Sequence, residues 1–203
     1  MSDSIFNPEF QNQNTSSKII VALERISGAF KVLLWEKAKE FSLSPIQIQM
    51  LIFIAYHKQD LCHVSHLAKE FNVTKPTISD AVRVLLKKGY IEKDVSNMDS
   101  RSYSIFLSEK GKCLIKQTED FAFPIKSNLD LLETSKLDDL FLSLSQVIYN
   151  LNQTGILTVQ RTCYGCKFYE NKNSAHYCQF LNKPLKVSDI RLDCPEFDAK
   201  KAS

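Results

Sequence analysis

The chain has 203 residues, a formal net charge of +3 and 44% hydrophobic residues. This length suits one or two domains with a real core, and so small a charge does not by itself predict a nucleic-acid partner. Residues 1–17 lack the basic and apolar regions of a secretory signal, and no apolar run reaches the roughly 18 residues that cross a bilayer. We therefore expect a soluble, cytoplasmic protein that does not bind membranes.

The N-terminal part of the chain predicts two helices. Residues 1–16, rich in Asn, Gln and Ser, predict a flexible arm. Apolar side chains then recur at three- and four-residue steps, which predicts an amphipathic helix over 17–40. Ser44 is a favourable N-cap and Pro45 suits the first helical turn, so a second helix is expected from there to Tyr56.

The middle of the chain predicts a helix-turn-helix. Residues 61–62 predict a short strand and residues 64–71 a short helix, which ends at a tight turn formed by residues 72–73. Thr74 is expected to cap the next helix, whose apolar positions share one face, and Gly89 is expected to end it. A short helix, a three-residue turn and a second helix are the parts of this motif.

A hairpin wing and two further helices follow. Residues 90–95 and 103–107 predict the two strands of the wing, joined by a polar loop. A long helix is expected over 108–133, kinked or broken at Pro124. A last helix is expected over 135–155, capped by its first residue and ended by its glycine. Joined to the preceding motif, the wing predicts a winged helix-turn-helix that binds DNA.

The second helix of such a unit enters the major groove, so its outer face supplies the predicted DNA contacts. Arg83 is expected at a base edge, because a guanidinium matches the two acceptors of guanine. Lys75, beside the helix N-terminus, is expected at a phosphate. The full predicted set on this segment is Thr74, Lys75, Pro76, Thr77, Ser79, Arg83 and Lys87. The alternative is a charged, solvated helix face, which the adjoining turn and wing disfavour.

The wing adds two predicted DNA contacts, Asp99 and Arg101. An arginine at a hairpin tip can enter the narrow minor groove, where negative potential is concentrated. Asp99 could hold that guanidinium through a bidentate pair. The alternative is an ordinary polar turn with a weak surface ion pair. The helix directly before the wing favours the DNA contact.

These motifs resemble the winged-helix core of the MarR family of bacterial transcriptional regulators. The matching motifs are Thr74-Lys75-Pro76-Thr77 at the start of the recognition helix, Lys88-Gly89-Tyr90-Ile91 at its exit, Asp99 and Arg101 in the wing, and Leu107 to Gly111 at the next helix. The resemblance covers about residues 17–155. It implies a homodimer with intertwined first and last long helices, a double-stranded DNA operator, and a cleft for a small-molecule effector. Asp80 stands where many members carry a basic or neutral polar residue.

Four cysteines in the C-terminal tail are additional to the family plan. Their spacing is Cys163-x2-Cys166-x11-Cys178-x15-Cys194. In a reducing cytosol, clustered cysteines favour a metal over disulfides, and four thiolates make a closed tetrahedral site. Zinc is the predicted metal, and an iron–sulfur cluster, which also takes four thiolates, is the alternative.

Other cysteine and histidine residues have simpler interpretations. His176 could replace one thiolate, but a surface histidine on a polar loop is preferred. A redox disulfide between Cys163 and Cys166 is a third interpretation of the tail, which would leave the other two tail cysteines unexplained. Cys62 and Cys113 lie inside apolar segments and are expected to be small buried side chains.

The predicted fold is mainly α with a small β wing. A MarR-like winged helix-turn-helix with a helical dimerisation region spans residues 17–155, its DNA-binding core spans about 44–107, and a small four-cysteine metal-binding module spans 156–203. The predicted function is a sequence-specific DNA-binding regulator whose cysteine site is structural or sensory. An iron–sulfur or thiol redox sensor is the alternative. A thiol redox enzyme is disfavoured because no His–acid constellation or phosphate loop is visible, and a protein-interaction module is a further class.

Overall fold

The computed structural model describes residues 4–94, 103–172 and 175–200. Within these residues the chain forms eight α-helices and two antiparallel sheets, of two and three strands. The helices are α1 (Pro8–Gln13), α2 (Thr15–Glu40), α3 (Pro45–Tyr56), α4 (Val64–Glu70), α5 (Lys75–Lys87), α6 (Glu109–Thr118), α7 (Phe123–Leu129) and α8 (Thr134–Gln153). The strands are β1 (Ile91–Asp94), β2 (Ser104–Leu107), β3 (Tyr169–Lys172), β4 (Ala175–Cys178) and β5 (Lys183–Leu185). The predicted helical architecture with a small β wing is confirmed.

The helix-turn-helix of α3 to α5 forms at the predicted caps. The Ser44 backbone N–H donates to Gln47 Oε1 at 2.9 Å and closes a capping box at the start of α3. Asn72 has a left-handed φ of 51° in the turn between α4 and α5. Thr74 Oγ1 accepts from the Thr77 backbone N–H at 3.3 Å and caps α5. Local capping chemistry therefore sets where these helices begin.

A single aliphatic core holds the winged helix together. Apart from the Cys62 thiol, its completely buried side chains come from α3, α4, α5 and β2 and are Ile48, Met50, Leu51, Leu67, Ile78, Leu85 and Ile105. Burial of one such side chain stabilises the fold by about 1.5–3 kcal/mol relative to exposure. Because the inner face of α5 belongs to this core, its opposite face is presented to solvent in a fixed orientation.

The wing is a two-stranded antiparallel sheet of β1 and β2. The short strand predicted at 61–62 is wrong, because Gln59–Leu61 forms a 3-10 turn. This turn still contacts the sheet. The Ile105 N–H donates to the Cys62 carbonyl at 2.8 Å, and Gln59 Nε2 donates to the Ile105 carbonyl at 2.6 Å. One backbone and one side-chain hydrogen bond thus take the place of the expected strand pairing.

Several helix boundaries differ from the prediction. The arm contains α1, so residues 1–16 are not wholly unstructured. The helix expected over 108–133 is broken into α6, a 3-10 turn at Glu119–Ala122, and α7. Pro124 lies in the first turn of α7, where its missing N–H costs no helical hydrogen bond. The last long helix, α8, begins one residue before Ser135.

Two long helices, α2 and α8, expose apolar side chains along their length. The exposed members are Ile19, Ile20, Leu23, Ile26, Val32 and Trp35 on α2, and Leu140 and Val147 on α8. Ile26 and Trp35 are 53% and 52% exposed, although each has a large apolar surface. Among the described residues, no helix combines the length and hydrophobicity needed to cross a membrane.

The tail folds as a three-stranded sheet, β3-β4-β5, flanked by 3-10 turns at Cys163–Gly165 and Val187–Asp189. Its buried core is small and consists of Cys163, Cys166, Tyr169, Leu185 and Ile190. Phe141 and Leu142 of α8 pack against this core. The tail is therefore joined to the helical region through apolar contacts and contributes two thiols to its own interior.

Candidate nucleic-acid interface and cysteine cluster

The outer face of α5 carries the predicted DNA-contacting side chains. Ile78, Ala81, Val82 and Leu85 are buried on the inner face. Thr74, Lys75, Pro76, Thr77, Arg83 and Lys87 are exposed, and Ser79 is half-buried. The structure therefore brings the predicted contacts of this segment onto one solvent-facing surface.

Arg83 and Asp80 form an ion pair on this surface. Arg83 Nη2 lies 2.8 Å from Asp80 Oδ1, and the two side chains are 77% and 66% exposed. At such exposure the pair contributes little to stability. Its effect is to orient the guanidinium along α5, because the two residues are three positions apart on the same helix face.

Two threonines at the start of α5 serve the helix itself. Thr74 Oγ1 accepts the Thr77 backbone N–H, and the two hydroxyl oxygens lie 2.8 Å apart. Both residues were predicted as DNA contacts, and Thr74 was also predicted to cap α5. The structure confirms this cap, which holds the N-terminal turn and the adjoining Lys75 in place.

The two predicted wing contacts lie outside the described residues. Asp99 and Arg101 both lie in the undescribed segment 95–102. Close to its ends, Lys93 Nζ lies 4.0 Å from the centroid of the Tyr103 ring. A cation over a tyrosine ring is favoured by the ring quadrupole. The sequence pattern did not single out this pair, because it depends on the register of β1 against β2.

All four tail cysteines line one cavity of about 30 Å³. The apolar part of its wall comes from Phe168, Tyr169, Phe180, Leu181 and Leu185. Within the described residues, however, no group of three or more His, Cys, Asp or Glu side chains is arranged as a ready-made metal site. The fold thus converges the predicted ligands on one place without setting them in a coordinating geometry.

The chemistry of this cavity suits a cation. Burial raises the pKa of the Cys163 thiol, and repulsion from the thiolates of Cys194, Cys166 and Cys178 raises the pKa further. One opposing contact is the Arg191 N–H, which donates to Cys163 Sγ at 3.2 Å and favours the thiolate. A bound metal ion would offset this repulsion and would favour the deprotonated form of the thiols that hold it.

The remaining cysteines and His176 are not part of the cavity wall. Cys62 is completely buried, and burial together with Asp60 raises the pKa of its thiol to about 11, so its predicted role as a small core residue is confirmed. Cys113 is exposed, so the prediction that it is buried is wrong. It lies on the outer face of α6 beside the buried Leu114. His176 Nδ1 lies 2.6 Å from the Tyr169 hydroxyl.

Arg161 joins the tail to the winged helix, a role that no sequence pattern indicated. Its Nη1 and Nη2 donate to the two carboxylate oxygens of Glu70 at 2.8 and 3.0 Å, and its guanidinium also contacts Asp193. Burial alone would lower the pKa of Arg161, but the hydrogen bonds to Asp193 and Glu70 raise it. The partners lie 91 and 32 residues away in the chain, and only the tertiary fold brings them together.

A cleft of about 610 Å³ lies between the tail and the end of α3. Its wall includes His57 and His66 from the winged helix and Arg161, Cys194 and Phe197 from the tail. Because both parts of the chain supply side chains, this cleft depends on the position of the tail.

Comparison with known proteins agrees with this architecture. Residues 41–102 match the model of the MarR family. The fold is a MarR-type winged helix. A Staphylococcus aureus MepR–DNA complex is 24% identical, covering 64% of this chain and 96% of the other with a TM-score of 0.56. A MarR transcriptional regulator from Methanosarcina mazei Go1 is 20% identical, covering 67% and 97% with a TM-score of 0.58.

A MarR protein from Peptoclostridium difficile is 21% identical, covering 67% of this chain and 88% of the other with a TM-score of 0.59. Each of these three matches leaves about a third of this chain uncovered. The segment that matches the family model ends at residue 102, well before the cysteine tail. A comparison with curated proteins found no match.

Proposed function

We propose that this protein is a sequence-specific transcriptional regulator that binds a double-stranded DNA operator as a homodimer. The observation that carries the proposal is α5, an exposed basic helix face fixed by a buried aliphatic face. It lies within the segment that matches the MarR family model. The similar MepR structure was solved as a complex with DNA, which supports the same partner for this chain. No enzymatic activity is part of the proposal.

On the proposed DNA surface, the side chains have separate tasks. Lys75 neutralises a phosphate beside the N-terminus of α5, where backbone N–H groups add positive potential. Arg83 donates to a guanine edge, and Thr77, Ser79 and Lys87 add phosphate or base contacts. To reach a base, Arg83 must rotate away from Asp80, so this carboxylate acts as a competitor for the guanidinium.

The homodimer is supported by the exposed apolar faces of α2 and α8. Large apolar side chains such as Ile26 and Trp35 are about half exposed in a single chain, and contiguous exposure of this kind marks an interface. A two-fold dimer places two recognition helices on half-sites about one helical turn apart. Sedimentation of Ile26→Lys should give a monomer, and a wild-type protein that sediments as a monomer with and without operator would contradict the homodimer.

The tail is proposed to bind one zinc ion through Cys163, Cys166, Cys178 and Cys194. Four thiols that line one small cavity are the ligand set of a closed tetrahedral zinc site. When bound, the ion supplies folding free energy to a module whose own core is small. An iron–sulfur cluster remains the second candidate because it takes the same ligand type.

One experiment tests both parts of the proposed function. The purified protein is assayed for metal content and used to select operator sequences from random DNA, and binding is then measured across salt concentrations. We expect zinc, one selected palindrome and a steep salt dependence. Absence of any selected sequence would overturn DNA recognition, whereas colour and iron content would show that the bound group is an iron–sulfur cluster and not zinc.

The predicted small-molecule effector stays a prediction, for which the 610 Å³ cleft offers space.

A further inference from the structure

The tail contacts both the dimerisation region and the DNA-binding region. On one side, Phe141 and Leu142 of α8 pack against its core, and the rings of Tyr149 and Tyr164 lie 6.4 Å apart. On the other side, Arg161 reaches Glu70 at the end of α4. The cysteine module therefore lies between the helix proposed for dimerisation and the helix-turn-helix.

The contact with the winged helix is charged, and its Arg161–Glu70 pair is largely excluded from water. The Arg161 side chain is only 10% exposed and Glu70 is 19% exposed. Asp193 Oδ2 also lies 2.5 Å from His57 Nε2, and the His57 ring stacks on Phe53 at 3.7 Å. A buried arginine that loses a partner leaves an uncompensated charge, so this network holds one geometry.

The same network is directly attached to the thiols. Asp193 immediately precedes Cys194, and the Cys194 N–H donates to the Arg161 carbonyl at 3.1 Å. The Cys163 N–H donates to the Arg191 carbonyl at 3.1 Å, which ties the two cysteine-bearing segments to each other. Arg161 and Asp193 consequently keep their positions only while these two segments stay together.

The other end of the network leads to the recognition helix. Glu70 is the last residue of α4, and only residues 71–73 separate it from Thr74, the cap of α5. The Thr158 hydroxyl donates to the Lys69 carbonyl, so a second tail residue also holds the end of α4. Displacement of this end alters the turn and hence the orientation in which α5 meets DNA.

We propose that the cysteine module is a strut between α8 and α4, in which Arg161 is the positioning residue that makes operator binding depend on occupation of the four thiols. This inference rests on the proposed function. Metal in the cavity holds the Cys163 and Cys194 segments together and so fixes Arg161 against Glu70. Without metal no ligand bonds join the two segments, only backbone hydrogen bonds hold them together, and α4 loses part of its support.

The test measures, on the full-length protein, how strongly Zn²⁺ binding and DNA binding affect each other. Operator affinity is determined with Zn²⁺ bound and after removal of Zn²⁺ under reducing conditions, for wild type, Arg161→Gln and Glu70→Gln. Glu196→Gln is the matched control, because Glu196 pairs with Lys58 at 3.3 Å across the same interface but is 43% exposed. In wild type and in the control we expect loss of Zn²⁺ to lower affinity about tenfold.

In Arg161→Gln and Glu70→Gln we expect Zn²⁺ content to stay at the wild-type level while the dependence of DNA affinity on Zn²⁺ disappears. A merely structural role would lower affinity equally in both metal states. Full metal dependence in Arg161→Gln, or equal affinity of the two metal states of wild type, would overturn the strut. Failure of wild type to bind any selected operator would instead overturn the proposed function, and the strut with it.

Hydrogen exchange of wild-type protein provides a readout that does not use DNA or a variant. Removal of Zn²⁺ should speed amide exchange in α4 and in residues 71–73, because these lose the support of Arg161. The inner turns of α3, around the fully buried Leu51, should keep their protection. Unchanged exchange in α4 after complete loss of Zn²⁺ would contradict the strut even if the variants failed to fold.

Discussion

The winged helix and the cysteine tail of this chain are stabilised in different ways. The winged helix buries a continuous set of aliphatic side chains, seven of which are completely shielded from solvent. The apolar core of the tail consists of five buried side chains, two of which are thiols, and each of these five keeps 5–8% of its surface exposed. An aliphatic core of the first kind supports a fold by itself, whereas a core of the second kind depends on a metal or on contacts with neighbouring elements.

The largest expected effect is on the tail. Each of Cys163→Ser, Cys166→Ser, Cys178→Ser and Cys194→Ser should lose most of the bound metal, because a tetrathiolate site without one ligand is open and weak. Elemental analysis after gel filtration measures the loss, and limited proteolysis should show faster cleavage after residue 156. Cys113→Ser is the control, since this thiol is exposed on α6 and distant in sequence from the tail.

Retention of all metal by Cys178→Ser or Cys194→Ser would contradict a four-cysteine site. His176, two residues before Cys178, would then be the next ligand to replace, although its ring now contacts the Tyr169 hydroxyl. Helical content should stay near the wild-type value in all four variants, because the winged helix has its own core. Loss of that content would show that the two regions are not independent in stability.

The next largest effect is on the core of the winged helix. Leu85→Ala should lower the free energy of unfolding by about 2–5 kcal/mol, because it leaves a cavity beside side chains that are themselves fully buried. Denaturant titration followed by circular dichroism measures this change. Val84→Ala, at the neighbouring position and 38% exposed, should cost much less. Equal losses in the two variants would show that α5 does not bury the face assigned to it.

Substitutions on the DNA surface should act on binding without changing stability. Arg83→Ala should weaken operator binding by about 1–3 kcal/mol and relax preference at one base pair in each half-site. Lys75→Ala should lower affinity for all sequences and flatten the salt dependence. Fluorescence anisotropy with the operator and with scrambled DNA separates the two effects, and unchanged affinity and salt slope in both variants would refute the assigned surface.

Asp80→Asn is a further test of the α5 surface, again by comparing operator with scrambled DNA. The Asp80 carboxylate lies 2.8 Å from Arg83 and repels DNA phosphates, so its neutral amide should raise affinity for operator and scrambled DNA alike. Specificity, measured as the ratio of the two affinities, should stay unchanged. A rise confined to the operator would instead show that Asp80 opposes binding only at the base that Arg83 contacts.

The smallest expected effect concerns pH. Burial lowers the pKa of His66 from 6.5, and its Nε2 has no hydrogen-bond partner among the described residues. As the pH falls below about 6.5, the unfolded chain binds the proton before the folded chain does, so stability falls. His66→Gln should reduce this slope in denaturant titrations between pH 7 and about pH 5. An unchanged slope would show that other titratable groups dominate the pH dependence.

The order of secondary structure in the winged helix was accessible from the sequence because it is encoded locally. Ser44, Thr74 and Gly89 mark helix ends through caps and a left-handed φ of 71° at the glycine, and the apolar period of α5 identified its buried face. The predicted strand at residues 61–62 was wrong because pairing with β2 involves only one backbone hydrogen bond there. Similarly, the break at residues 119–122 depends on how the chain packs after α6.

Residue types and spacing by themselves determined the winged helix, the set of side chains on α5 that are proposed to contact DNA and the four candidate ligands of the tail. Only the tertiary structure decided where the tail lies. Its position depends on Arg161 meeting Glu70 and Asp193, and on Phe141 and Leu142 meeting the tail core. Contacts between residues so far apart in sequence leave no periodic or capping signal, because their energy appears only when separate elements pack against each other.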